Sequence, residues 1–275
     1  MSRLRFSIIG LGWLGLPLTR AMRGAGHSVH GSVTSAEKAA RLADEGLATY
    51  RLTLKPQPEG DLAPLLDADV LLINVPPRAG KQGDDFHPEQ LEHLTRAIRQ
   101  SPVKHVVYVS STSVYPEANR IVTEDDVAEP AGSGAPALVR AEKLVQALAP
   151  ERAVTVLRCA GLMGYDRIPG KYVAGRTVES GAVPVNYVHR DDAVALIRLV
   201  LETGLTGVYN VVAPEHPTRE AVYRRSCEQF GYALPQFVEP AEPVPFKIVG
   251  GEKLARAVPY DFIYPNPLDF YYAQA

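Results

Sequence analysis

The sequence predicts a doubly wound α/β fold: a parallel sheet with helices on both faces and a small C-terminal lobe. Three observations carry this. Short apolar runs alternate with helical patterns through the first half of the chain. Val70–Val75 reads as a strand buried on both faces, as the centre of a parallel sheet requires. A glycine-rich turn, Gly10-Leu11-Gly12-Trp13-Leu14-Gly15, joins the first strand to the first helix.

Each element has its own signal. Phe6–Ile9 is the first strand. Leu14, Leu18, Ala21, Met22 and Ala25 then fall at helical spacing, and Pro17 lies in the first turn, where a missing N–H costs little. Gly26 ends that helix, and Ser28–Val33 is the second strand. A helix from about Ala36 to Asp44 follows, with Gly46 at its stop. Ala48–Leu52 is the third strand, Val70–Val75 the fourth, His87–Gln100 a helix and Val106–Ser110 the fifth strand. Such βαβα order implies right-handed crossovers.

The second half is less regular. A helix is expected from about Ala135 to Ala149, with Leu138, Ala141, Leu144, Val145 and Leu148 on one face. Val154–Arg158 is the sixth strand, and Asp191–Glu202 a helix with Asp191 or Asp192 near its N-terminus, where a carboxylate is favoured. Val208–Val212 is a strand and Thr218–Phe230 a helix. The expected division is 1–160 for the nucleotide-binding core, and 161–275 for the remaining sheet elements interleaved with a small substrate-binding lobe. Arg78–Pro88 and Pro116–Gly134 should follow strand C-termini. They read as lids or as ordinary surface loops. The aromatic tail, including Tyr260, Phe262, Tyr264, Phe270, Tyr271 and Tyr272, packs on its own core or forms an interface.

Composition narrows the function. With 275 residues, 46% of them hydrophobic, the chain can bury a substantial core. Its 29 Lys+Arg against 31 Asp+Glu, with no long charged run, gives no basis for capturing nucleic acid or an anionic membrane. Cys159 and Cys227 form neither a disulfide framework nor metal-ligand spacing and read as two buried thiols. No signal-peptide pattern or membrane-length apolar run is evident, so the expectation is a soluble, cytoplasmic protein acting on a small molecule.

The glycine turn is a full GxGxxG in a βαβ unit, the context that makes it a Rossmann dinucleotide-binding fingerprint. Gly10 permits the tight turn, Gly12 lets backbone N–H groups approach a pyrophosphate, and Gly15 lets the helix pack closely on the strand. Trp13 and Leu14 open the helix whose N-terminus offers orphan donors to the phosphates. An acid at the end of the second strand normally binds the ribose 2′-hydroxyl of NAD. Here that stretch is Val33-Thr34-Ser35-Ala36-Glu37-Lys38. Thr34, Ser35 and Lys38 could hold a 2′-phosphate, which makes NADP the expected cofactor and NAD the alternative. Thr34 could instead cap the next helix, with Glu37 completing a capping box; the two roles are compatible.

Two families share these features. Gly10–Gly15, Pro17, Ala25-Gly26-His27 and Lys38-Ala39-Ala40-Arg41-Leu42 resemble the β-hydroxyacid dehydrogenases, which would imply an all-helical second domain with a glycine-rich, lysine-bearing helix; that helix is not found. The remainder resembles the extended or atypical short-chain dehydrogenase/reductases, the NAD-dependent epimerase/dehydratase-like group. Three segments carry the likeness: Val106–Tyr115, Val156-Leu157-Arg158 through Gly161-Leu162-Met163-Gly164, and Val185–Asp192.

That resemblance implies an oxidoreductase or epimerase acting on a small polar or nucleotide-linked substrate. It places Asn74, Val75, Pro76 and Pro77 along the cofactor's ribose and nicotinamide, and Ser111 near the nicotinamide, bonded to the reacting oxygen. His189 would lie near the substrate cleft or serve structurally. Tyr165, Lys171, Tyr172 and Arg176 would occupy the substrate region. The chain departs from the family where its catalytic Tyr and Lys should lie, four residues apart: Gly134 and Leu138 stand there, and neither can move a proton. Tyr115 and Tyr165 are the replacement acid/base candidates. The departure opens a second reading, a nucleotide-binding sensor or partner-binding protein without turnover.

Overall fold

The computed structural model describes residues 4–77 and 82–273. An eight-stranded, mostly parallel sheet dominates it. The strands are β1 (Arg5–Ile9), β2 (Ser28–Val33), β3 (Thr49–Leu54), β4 (Pro58–Gly60), β5 (Val70–Ile73), β6 (His105–Ser111), β8 (Ala153–Cys159) and β12 (Gly207–Val211). Their order is β12-β8-β6-β5-β1-β2-β3-β4. Strands β2, β1, β5 and β6 pair in parallel, and the short β4 runs antiparallel against β3. The order reverses between β1 and β5, and their register, Ile9 opposite Ile73 and Ser32, sets three strand ends side by side. Ligands of open α/β sheets bind at such a crevice.

The chain divides into two compact units. The first comprises Met1–Ser110, Ala128–Arg158 and Ile197–Tyr209, the second Ser111–Val127, Cys159–Leu196 and Asn210–Ala275. In the first, β5 is buried along its whole length, as its sequence requires. The helices are α1 (Gly15–Gly24), α2 (Ala36–Asp44), α3 (Leu62–Leu66), α4 (Phe86–Arg99) and α5 (Pro136–Gln146). Helix α5 stops at Gln146, short of the expected Ala149, its last turn loosening into isolated turns.

A charge pair lies inside this unit. Glu142 of α5 is 1% exposed and Arg158 of β8 2%. The Arg158 guanidinium donates to the carboxylate through Nε (3.1 and 3.2 Å) and Nη2 (2.8 Å), and Ser110 Oγ donates to it at 2.5 Å. Alongside runs a directed chain of hydrogen bonds. The Gln90 amide nitrogen donates to Leu54 O, so its oxygen accepts from His87 Nδ1, and His87 Nε2 then accepts from the Tyr108 hydroxyl at 2.7 Å. Burial lowers the pKa of His87, keeping the ring neutral, and raises that of Tyr108 well above the ordinary phenol value.

The second unit uses short parallel pairs. β9 (Gly161–Met163) lies with β11 (Tyr187–His189), β10 (Thr177–Val178) with β13 (Gln236–Phe237), and β7 (Ile121–Val122) with β14 (Ile248–Val249). Around them stand α6 (Pro169–Val173), α7 (Arg190–Thr203, which begins here), α8 (Arg219–Phe230) and α9 (Glu252–Ala257). Strand pairs of two or three residues carry no periodicity, which is why the sequence does not show them. The mixture of strands and helices also sets aside the all-helical second domain of the β-hydroxyacid dehydrogenases.

The aromatic tail packs on its own unit: Phe270 and Tyr272 are buried with Ile168 and Ala213. Asp192, fully buried, accepts from the Tyr260 hydroxyl (2.7 Å) and from the backbone N–H of Ile263 (2.7 Å) and Tyr264 (3.1 Å). It therefore fixes the tail, in addition to the helix-terminal position the sequence suggests. Of the two lid candidates, Arg78–Lys81 lie outside the described residues. Within the other, Glu124 is buried and accepts from Asn210 N at 2.8 Å, so that stretch is pinned rather than free. Both cysteines are free and buried, and burial pushes the Cys159 thiol up to about 12. Among the described residues no helix is long and apolar enough to cross a membrane.

Replacing Glu142 with Gln leaves the Arg158 charge buried without its counter-ion. Breaking one side of such a pair costs about 3–5 kcal/mol. Urea unfolding of E142Q should show a loss of that order; a loss under about 1 kcal/mol would mean that water reaches the guanidinium.

Candidate functional site

The crevice of the first unit is a cavity of about 250 Å³. Gly10, Leu11 and Gly12 form one side, Thr34 and Lys38 another, and Asn74, Val75 and Pro76 a third. Gly10 has φ +106°, a backbone that L side chains rarely adopt, and a Cβ there would strike the Asn74 carbonyl. A Cβ on Gly15 would strike the Gly10 carbonyl, so the missing side chain lets α1 approach the strand. A Cβ on Gly12 would meet nothing within 4 Å. That open space is what a pyrophosphate needs to reach backbone N–H groups.

Asn74 has a use the sequence does not reveal. Its side-chain amide donates to Gly10 O at 2.9 Å, and its backbone N–H donates to Ile9 O at 2.9 Å. It braces the glycine turn while lining the cavity. Leu14 and Gly15 are buried, Trp13 is half-buried, and these three with Ser35 do not line the cavity. Leu52, Thr53, Leu54 and Gln90 do, and no motif marks them, because they reach the crevice from the neighbouring strand and from α4.

At the end of β2 the helix cap is Ser35, whose hydroxyl accepts from Lys38 N at 3.3 Å; the expected cap is Thr34, one residue earlier. Thr34 is exposed at the cavity wall. The Lys38 ammonium donates to Leu11 O at 2.9 Å, which ties α2 to the glycine turn and holds a positive charge at the crevice. Among the described residues lining this cavity none is acidic.

The second unit has a separate polar cavity of about 260 Å³. Ser111, Ser113, Asn186, Tyr187, Arg219 and Lys247 contribute to it, with Glu117 and Tyr223. Ser111 ends β6, and its Oγ accepts from Ser113 N at 3.1 Å, which leaves the hydroxyl hydrogen to donate. Lys247 donates to Tyr115 O (2.7 Å) and Glu117 Oε1 (2.9 Å), while Arg219 donates to Ser180 Oγ (2.9 Å). Two cations face one carboxylate, so the lining carries a residual positive charge. Burial, then Tyr223 beside it, raises the pKa of Tyr187. Sequence reasoning misses Arg219, Tyr223 and Lys247 because they come from α8 and the stretch before β14, far from Ser111 along the chain.

The two replacement tyrosines are engaged elsewhere. Tyr115 is fully buried, and its hydroxyl donates to Asn210 Oδ1 at 2.6 Å, out of reach of a dissolved substrate. Tyr165 stands in the left-handed region (φ 53°), and its hydroxyl donates to Asp191 Oδ2 at 2.9 Å. Arg190 lies 3.5 Å over its ring. Burial, then the Asp191 bond, raises its pKa, opposite to what an acid working at neutral pH needs. His189 is structural. Its Nδ1 accepts from Asp191 N (3.2 Å), so Nε2 carries the hydrogen and donates to Tyr271 O (3.1 Å), and burial lowers its pKa. Of the expected basic set, Arg176 lines a different, shallower hollow with Glu179 and Ser180, and Lys171 and Tyr172 are exposed.

Strand order, glycine turn and Ser111 at the end of β6 together define a fold class, that of the extended short-chain dehydrogenase/reductases and NAD-dependent epimerases. UDP-glucose 4-epimerase from Thermus thermophilus, solved in complex with NAD, superposes with TM-score 0.75 at 16% identity, over 97% of each chain. A short-chain dehydrogenase/reductase superfamily protein from Agrobacterium tumefaciens with bound NAD gives 0.74 at 17% identity, over 94% of this chain and 93% of that one. A functionally unknown conserved protein from Silicibacter pomeroyi gives 0.72 at 23% identity, over 96% and 95%. No family model matches the chain. Within this class the chain belongs to the family of Protein YeeZ: it is 34% identical to Protein YeeZ of Escherichia coli (strain K12) over 270 residues, 96% of this chain and 97% of that protein.

The open space at Gly12 yields a direct test. Gly12→Val should fold with unchanged circular dichroism and melting temperature and lose dinucleotide binding by calorimetry. Wild-type affinity in the folded variant would show that the phosphates do not cross this turn.

Proposed function

We propose that this protein is an NADP(H)-dependent oxidoreductase or epimerase acting on a small anionic or nucleotide-linked substrate. The observation that carries the reading is the crevice of the first unit, where an open glycine turn meets the Lys38 ammonium and Thr34 with no carboxylate among the described residues of the wall. The residues fit the cofactor. Backbone N–H groups around Gly12 would hold the pyrophosphate, and Lys38 and Thr34 the 2′-phosphate. NAD, which the Thermus and Agrobacterium proteins hold, is the alternative. When bound, the nicotinamide supplies or accepts a hydride.

In the second unit Arg219 and Lys247 would hold the substrate's anionic group, and the Ser111 hydroxyl would donate to its reacting oxygen. Serine is a poor acid at neutral pH, so proton exchange needs a partner. Tyr223, the half-exposed phenol lining the same cavity, takes that role in this reading, with Tyr187 behind it. One observation favours a second reading, a dinucleotide-binding sensor without turnover: α5 presents buried Leu138 where the family's lysine stands, and Tyr115 and Tyr165 are both engaged in structural bonds.

Two measurements test the proposal. NADPH should bind more tightly than NADH by calorimetry, and Lys38→Ala should remove most of the difference. A charge-assisted bond contributes about 1.5–3 kcal/mol, roughly a tenfold to hundredfold effect on affinity. Equal or tighter NADH binding by the wild type would overturn the 2′-phosphate assignment. On a substrate found by screening phosphorylated and carboxylated metabolites for absorbance change of the reduced cofactor, Ser111→Ala should cut turnover more than about tenfold with cofactor affinity unchanged. Wild-type turnover in that variant would remove Ser111 from the chemistry.

A further inference from the structure

The second unit contains another cavity, also about 260 Å³, which the proposed reaction does not use. Its walls are apolar: Leu196, Val212, Ile248, Leu254, Val258 and Phe262. Its size is near the small end of ligand cavities, about 300–1,000 Å³. What distinguishes it is the polarity of the few groups set among these walls.

Three of those groups commit a hydrogen to a neighbouring oxygen. His216 lines the cavity, and its Nδ1 lies 3.0 Å from Val185 O. A carbonyl only accepts, so Nδ1 carries the hydrogen and Nε2 of the neutral ring is an acceptor. Burial lowers the pKa of this ring and favours that neutral form. The Tyr260 hydroxyl spends its hydrogen on Asp192, leaving an oxygen that accepts. Asn210 commits one amide hydrogen to Gly250 O and its oxygen to Tyr115. Glu252 brings a carboxylate, which lies over Gly250: a Cβ built there would come within 2.6 Å of Glu252 Oε2. The glycine makes room for that negative group. Among the described residues lining the cavity none is Lys or Arg.

Two aromatic rings, Tyr260 and Phe262, stand edge to face with centroids 5.3 Å apart on the same wall. Aromatic faces attract cations, as a carboxylate does. The acceptors at His216 and Tyr260, one negative charge, two aromatic rings and an apolar interior are complementary to one kind of small molecule. We propose that this cavity binds an organic ammonium ion with a compact hydrocarbon body, at a site separate from both the dinucleotide crevice and the Ser111 cavity. The ammonium hydrogens would be received by Glu252 and His216, and the hydrocarbon body by Val212, Leu254 and Phe262.

The test uses benzylamine, with benzyl alcohol and phenylacetate as neutral and anionic counterparts of similar shape. Binding to the full chain is followed by calorimetry and by amide chemical-shift changes. Benzylamine should bind, benzyl alcohol at least tenfold more weakly and phenylacetate least. Glu252→Gln, at an exposed position that should not disturb folding, should weaken benzylamine at least tenfold. Ala255→Trp, which fills the cavity from an exposed wall position, should abolish binding while leaving NADPH affinity unchanged. The proposal is overturned if benzylamine does not bind at millimolar concentration. It is equally overturned if phenylacetate binds as well, if E252Q keeps wild-type affinity, or if a folded Ala255→Trp protein still binds.

Discussion

The space around the carbonyl oxygen of Gly10 governs the crevice at the glycine turn. Neighbouring segments crowd this turn. The Asn74 amide donates to it, the start of α1 passes so close that Gly15 can carry no side chain, and Gly10 itself can carry none because the Asn74 carbonyl is against it. The turn therefore has one shape, imposed from β5 and from α1. Gly12 is left facing open space. A rigid turn with its N–H groups already fixed loses little conformational entropy when an anion arrives, which is the physical basis of a preorganised phosphate site.

Lys38 extends the same logic. Its ammonium bonds to Leu11 O rather than to a carboxylate, so it retains a full charge while its position is fixed. A lysine paired with an acid would be partly neutralised and a solvated lysine would be mobile. In the second unit Lys247 is handled differently: Glu117 takes part of its charge, and Arg219 supplies most of what remains at the polar cavity. The Glu142–Arg158 pair shows a third arrangement, in which both charges are buried and serve register between α5, β6 and β8. Buried pairs of this kind contribute little net stability and are costly to break, which suits a fixed joint.

The first unit is readable because its signals are local. Helix α2 and strand β2 fall at the expected residues, and the glycine turn sits where a dinucleotide fingerprint must, since periodicity and backbone requirements are written in consecutive residues. The second unit is assembled from strand pairs of two or three residues, which no periodicity can announce. Its polar cavity gathers Ser111, Asn186, Arg219 and Lys247 from four separate stretches, of which only those of Ser111 and Asn186 carry a signal, through family resemblance. The misplaced expectations share one cause. Tyr115 and Tyr165 stand out in the sequence because a phenol can exchange protons, but sequence does not show what a hydroxyl already touches. Asn210 and Asp191 decide that.

Asp192 has a consequence for how the chain is made. Its carboxylate is buried, and the three donors that satisfy it arrive from residues 260–264, about seventy positions later. While the chain emerges from a ribosome, α7 can form long before those donors exist. Until they arrive, the carboxylate must stay hydrated, which holds that end of the helix away from its final packing. Most of the first unit has no such dependence, since its central strands and glycine turn lie near the start of the chain. Synthesis thus imposes an order: the unit bearing the glycine turn can condense during translation, while the second must wait for residues 260–264 before it can close around its own core.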